Sequence, residues 1–101
     1  PALRARLFTE RECTLPTSSL AARFAAKEAL IKGLGDSHGL GWHEMEILRD
    51  KDRAPSFART EALVCVLESI GADRVHLAMT HDAGVATAFV IVESAMNGGD
   101  R

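Results

Sequence analysis

Arg23, Lys27, Glu28 and Lys32 lie within one ten-residue string, Arg23-Phe24-Ala25-Ala26-Lys27-Glu28-Ala29-Leu30-Ile31-Lys32. The string belongs to a strongly helix-forming run, Ser19 to Lys32. Residues four apart project from one helical face, so Glu28 and Lys32 share a face and Arg23 and Lys27 share a neighbouring one. A carboxylate flanked by cations on a rigid helix suits a hard metal ion and an anionic, phosphorylated ligand. The same spacing has a plainer use. Glu followed by Lys one turn later is a common solvated pair and stabilises a helix by about 0.3–0.5 kcal/mol.

Other polar groups gather near the second half of the chain. His81 follows directly on an alternating segment, where an imidazole can face a cleft, although a hydrogen-bonded structural role fits that position too. Asp82 beside it could orient the ring or close an Asx turn. His38, His43 and His76 make no zinc-like spacing with one another or with Cys13 and Cys65. No GxSxG elbow is present.

The elements that must hold these groups read as follows. Pro1 to Glu12 predicts a short helix with Leu3, Leu7 and Phe8 inward. Pro16 breaks it. Ser18 or Ser19 is expected to cap the central helix, which ends at Gly33 or Gly35. Gly33 to Gly41 holds four glycines and must be a flexible or tightly turned loop, one that could bring backbone amides close to a phosphate. Trp42 to Leu48 reads as a strand and Arg49 to Ser56 as a charged turn containing Pro55. Phe57 to Ile70 is an amphipathic helix with Leu63, Val64, Leu67 and Ile70 inward, closed by Gly71. Arg74 to Thr80 alternates as a strand, His81 to Gly84 turns, and Val85 to Glu93 is an apolar strand expected to be buried on both faces. The last two strands predict a hairpin, and the whole reads as α+β, with two helices packed on an antiparallel sheet.

The chain has 101 residues, of which 47% are hydrophobic, enough for one domain with a single modest core. Residues 1–95 are expected to form that domain, and 96–101 a flexible tail. The chain opens at Pro1 without a methionine, and residues are expected to precede it. The formal net charge of −2 gives no sign of bulk binding to nucleic acid or to an anionic membrane. No stretch approaches the roughly 18–20 apolar residues of a membrane span. Cys65, in Leu63-Val64-Cys65-Val66-Leu67, reads as a buried small hydrophobe, and the cysteine usage fits a reducing, cytoplasmic setting.

Four segments in order resemble the holo-acyl-carrier-protein synthases, the small 4'-phosphopantetheinyl transferases. Leu7-Phe8-Thr9 through Glu12 is similar to the family's F-T-x-x-E, and Leu20 to Ala29 with Lys32 to its signature helix. Gly41-Trp42-His43-Glu44-Met45-Glu46-Ile47 and Val75-His76-Leu77-Ala78-Met79-Thr80-His81-Asp82 are similar to two of its later segments. Ala78 and Thr80 stand where the family's V-S-L-S-H-D has serines. The turn Asp52-Arg53-Ala54-Pro55 departs from the family's G-x-P, and the family's opening G-x-D strand is not among these residues.

The resemblance implies transfer of the 4'-phosphopantetheine arm of coenzyme A to a serine of an acyl carrier protein, with Mg²⁺ present. On that basis Glu28 is the expected metal ligand and proton acceptor. Lys32 is expected to neutralise the leaving phosphate. Arg23, Lys27, Thr80 and His81 are expected to meet phosphates of coenzyme A, with His81 also in a catalytic role. Phe24 and Pro55 would flank the nucleotide, and Gly35 would approach the pantetheine or the phosphates. The family's usual trimer implies a homotrimer. Three other readings stay open on the residues: the same domain cut from a multifunctional fatty-acid or polyketide synthase, a non-catalytic domain that binds coenzyme A or serves as a scaffold, and a ferredoxin-like ligand-binding domain whose charged helix is decorative.

Overall fold

The computed structural model describes residues 2–52 and 54–94. The expected tail at 96–101 lies outside them. Helix α1 spans Ala2–Leu7, and a 3-10 turn follows at Glu12–Thr14. The long helix α2 spans Thr17–Leu34, and a second 3-10 turn spans Trp42–Met45. Strands β1 (Ile47–Arg49) and β2 (Pro55–Phe57), helix α3 (Glu61–Ser69), and strands β3 (Arg74–Asp82) and β4 (Val85–Glu93) complete the order.

Two antiparallel hairpins provide the β-structure. In one, Ile47 pairs with Phe57 and Arg49 with Pro55. In the other, the ladder runs from Asp82 opposite Val85 to Arg74 opposite Glu93, across a turn in which Ala83 and Gly84 both take positive φ. Helix α2 lies along this second hairpin. It approaches so closely that a Cβ added at Gly33 would stand 3.2 Å from Val92 Cγ2, so only glycine fits there without a shift.

The core forms where α2, α3 and both hairpins meet. Ala26, Leu30 and Leu34 of α2 pack with Met45, Ile47, Phe57, Leu63, Val66 and Leu67. Val75, Leu77 and Met79 of β3 and Ala88, Val90 and Val92 of β4 close it from the sheet side. The α+β arrangement expected from the sequence is the one observed.

Several local expectations are corrected. The first helix stops at Leu7 because Thr9 Oγ1 accepts from Glu12 N (3.2 Å) and Glu12 Oε1 accepts from Thr9 N (3.1 Å). Those reciprocal bonds close a separate turn, and Leu3 stays 59% exposed instead of facing inward. Pro16, not a serine, occupies the N-cap position of α2. Trp42–Met45 is a 3-10 turn instead of strand, because Glu44 Oε1 takes the Gly41 N–H (2.7 Å) and the Trp42 carbonyl is taken by Lys27 (3.0 Å).

Pro55 begins β2 and is not a turn residue. Helix α3 starts at Glu61, where Thr60 Oγ1 accepts from Leu63 N (3.2 Å) and caps it. Cys65 and Ile70 fall on its exposed side. His81 and Asp82 remain within β3. Strand β4 is half-buried on one face and exposed on the other. Val85, Phe89 and Ile91 are 63%, 68% and 60% exposed.

Candidate active site

The charges of α2 divide between an exposed and a buried face, and that division sorts the predicted site residues. Glu28 and Lys32 lie on the exposed face, in line with Thr17 and Ala21. Neither makes a hydrogen bond or ion pair with any described residue. They form no ion pair with each other. A carboxylate and an ammonium one turn apart are left turned to solvent.

Lys27 faces the other way and its expected place on a coenzyme A phosphate is corrected. Its side chain is fully enclosed, and Nζ donates to Leu7 O (2.8 Å), Glu12 Oε1 (2.7 Å) and Trp42 O (3.0 Å). An ammonium has three donors, and all three are used. The Phe8 ring lies 5.0 Å below it. Burial lowers the Lys27 pKa from its ordinary 10.5, and the bond it donates to Glu12 offsets part of that loss. Glu12 is equally enclosed, and its Oε2 accepts from Ile47 N (2.9 Å).

Arg23 is also largely buried, and Nη1 donates to Ser19 O (3.5 Å). It lines a cleft of about 340 Å³ together with Arg11, Thr14, Leu15 and Arg49. Glu12 also lines the cleft, and Arg11 Nε lies 3.4 Å from Glu46 Oε2, so the positive charge of the three guanidinium groups is partly balanced there; a net excess of guanidinium charge suits a phosphate. Pro55 is paired across β1–β2 with Arg49 and does not itself line the cleft. Sequence reasoning missed Arg11 and Arg49, which carry no motif signal. It included Glu12 in a motif but gave it no role.

Phe24 stacks on Trp42 with ring centroids 5.7 Å apart and lines an apolar groove with Leu3, Leu7, Phe8 and Leu20. Gly35 closes α2 with φ of +97°, and nothing lies within 4 Å of where its Cβ would be. Its requirement is for backbone conformation and not for space. Thr80 and His81 leave β3 on opposite faces: Thr80 is outward, while His81 lines a shallow cleft with Thr17, Ser18 and Ala21 at the start of α2. Glu28 stands seven residues past Ala21, roughly 10 Å along the helix axis. The structure therefore puts Glu28 and Lys32 on one exposed face of α2 and leaves His81 at the far end of α2 from Lys32.

Among the described residues, no three of His, Cys, Asp and Glu converge as a metal cage. The exposed carboxylate of Glu28 would suit magnesium, an ion commonly held by only one or two carboxylates.

Compared with known proteins, residues 1–89 match the ACPS family, described as the 4'-phosphopantetheinyl transferase superfamily. The chain belongs to that superfamily. A holo-acyl-carrier-protein synthase of Leifsonia xyli subsp. xyli is 55% identical over 93 residues, covering 92% of this chain and 79% of that protein. The crystal structure of the holo-acyl-carrier-protein synthase of Neisseria meningitidis matches with a TM-score of 0.81 at 33% identity, over 92% of this chain and 81% of that one. The enzyme of Helicobacter pylori, solved in complex with coenzyme A, matches with a TM-score of 0.78 at 27% identity, over 91% and 82%. The transferase fold and the exposed Glu28–Lys32 pair thus occur in one chain.

Proposed function

We infer that this transferase moves the 4'-phosphopantetheine arm of coenzyme A onto a serine of an acyl carrier protein and releases 3',5'-ADP. The serine oxygen forms the new bond to the phosphorus next to the pantetheine. The bond from that phosphorus to the bridging oxygen breaks, and the nucleotide leaves with the electron pair. Such chemistry needs a positioned nucleophile, an acceptor for its proton and positive charge near the leaving phosphate. The observation that carries the reading is the exposed pair on α2: Glu28 for the proton, Lys32 for the phosphate charge, neither committed to a described residue.

Glu28 would also hold Mg²⁺, which when bound supplies charge neutralisation at the pyrophosphate. Arg23, with Arg11 and Arg49 around the same cleft, suits another phosphate of coenzyme A. His81, Thr80, Gly35, Phe24 and Pro55 retain their expected roles in holding coenzyme A as part of this proposal. Because His81 stands roughly 10 Å along α2 from Glu28, it serves a different part of the donor or a neighbouring copy's site.

The carrier protein would dock on α1. Its exposed Leu3, with Arg4 and Arg6, offers an apolar contact ringed by positive charge, and the groove beside it leads along Phe24 toward Glu28. An acidic partner with an apolar tip fits that surface. The outer face of β3–β4, with Val85, Phe89 and Ile91 exposed together, supports self-association into the homotrimer. No helix among the described residues is long and apolar enough to cross a membrane, and we place the reaction in the cytoplasm.

The test is mass spectrometry of an acyl carrier protein incubated with coenzyme A, Mg²⁺ and the chain, beside Glu28→Ala. A gain of one phosphopantetheine, lost in the variant, is expected. No gain with any of several carrier proteins, while coenzyme A still binds, would replace this reading with a non-catalytic one.

A further inference from the structure

Helix α1 has six residues and buries none of them. Its own side chains therefore do little to set its angle against the rest of the molecule. Groups from elsewhere hold its backbone. Lys27 Nζ donates to the Leu7 carbonyl (2.8 Å) from α2. His43 Nε2 bonds the Ala5 carbonyl (2.7 Å) from the turn at 42–45. Cys13 Sγ donates to the Arg4 carbonyl (3.7 Å). The last carbonyls of a helix lack intrahelical partners and carry partial negative charge, so a cation and a ring N–H at that end meet both needs.

Lys27 is in turn fixed. Its bond to Glu12 (2.7 Å) is closed from solvent, and Glu12 is tied to Thr9 N and Ile47 N. A buried pair of this kind is retained for geometry more readily than for stability, since its desolvation cost offsets much of its attraction.

The geometry points to Lys27, Glu12 and His43 as positioning residues for carrier-protein docking, which set the angle of α1 against the helix that presents Glu28. None of the three touches the reacting atoms. The inference rests on the transferase reading and on α1 as the docking element. It adds that docking affinity is controlled by groups behind or beside α1 as well as by Leu3, Arg4 and Arg6 on it.

The test is steady-state kinetics of the whole chain with coenzyme A, Mg²⁺ and carrier protein, varying each substrate in turn. His43 is exposed, so His43→Ala is expected to fold. Losing one hydrogen bond that orients α1 should raise KM for the carrier protein by up to about tenfold. KM for coenzyme A and kcat should stay where they were. His43→Gln, which keeps an N–H for the Ala5 carbonyl, should restore most of the loss. Lys27→Met should shift the same KM further, and amide exchange across residues 3–8 should quicken in both variants. If Lys27→Met does not fold by circular dichroism, the His43 pair still decides.

An unchanged carrier KM in His43→Ala, or an equal change in the coenzyme A KM, would overturn the positioning role. Absence of transfer by the unmodified chain is a separate result, which sinks the transferase reading and the docking role with it.

Discussion

Lys27 Nζ stands 2.7 Å from Glu12 Oε1, and neither side chain reaches solvent. Breaking a buried pair from one side leaves an uncompensated charge, which typically costs about 3–5 kcal/mol. Lys27→Met is expected to destabilise the protein by about that much, because Glu12 would remain enclosed and charged. Lys27→Met with Glu12→Gln should recover a large part, since no charge is then left behind. Urea denaturation of the four proteins in the double-mutant cycle measures it. Equal stability of the single and double variants would contradict the pairing.

Glu28 and Lys32 should behave in the opposite way. Both are exposed and make no bond to described residues, so Glu28→Gln and Lys32→Ala should change stability by no more than about 0.5 kcal/mol. Their effect should be on rate. Loss of a proton acceptor or of a charge-stabilising group in the transition state costs about 10²–10⁴-fold. Transfer rates read beside thermal melts separate the two effects. A variant that melts early and loses activity only in proportion would argue for a structural role.

The carboxyl of Glu93 accepts from His76 Nε2 at 2.7 Å and lies 3.3 Å from Arg74 Nε. The His76 bond first, and the Arg74 charge after it, hold its pKa below the usual 4.5. As pH falls, the unfolded chain takes up this proton before the folded one does. The contribution of Glu93 to stability is therefore complete above about pH 4.5 and is lost as pH drops through the folded value. A carbon-13 carboxyl titration should place its midpoint below 4.5, and His76→Ala should raise it. A midpoint unmoved by that substitution would remove His76 as the main cause.

Phe89 and Ile91 are 68% and 60% exposed on the outward face of β4. If copies of the chain meet there, Phe89→Asp places a charge at the contact and should shift sedimentation toward monomer while leaving the circular dichroism spectrum as it was. Sedimentation that does not change with this substitution would move the contact elsewhere.

Much of the fold was legible because local signals agreed. Helix α2 is a run of strong helix formers bounded by Pro16 and Gly35, and β3 shows a clean two-residue period. Strand β4 was misread for a physical reason. Its inward residues Ala86, Ala88, Val90 and Val92 are apolar, and so are three of its outward residues, Val85, Phe89 and Ile91; among the outward positions only Thr87 and the terminal Glu93 are polar, so polarity largely hides the alternation.

Lys27 was misread because a lysine in a helix normally marks the solvent side. What buries it is Glu12, fifteen residues earlier, and two backbone carbonyls brought up by the tertiary fold. The exposed pair Glu28 and Lys32 could be found from spacing and resemblance. The arginine cleft could not, since Arg11, Arg23 and Arg49 meet only once the chain has folded.

The sequence contains a single tryptophan, and it is Trp42, stacked on Phe24 at the wall of the apolar groove. Indole emission responds to the packing and wetness of its surroundings. Anything that enters the groove and displaces Phe24 will change the light this protein emits, and no second tryptophan in the chain will dilute the signal. The molecule carries its own optical gauge of whether that groove is filled, readable without a label and on the timescale of mixing.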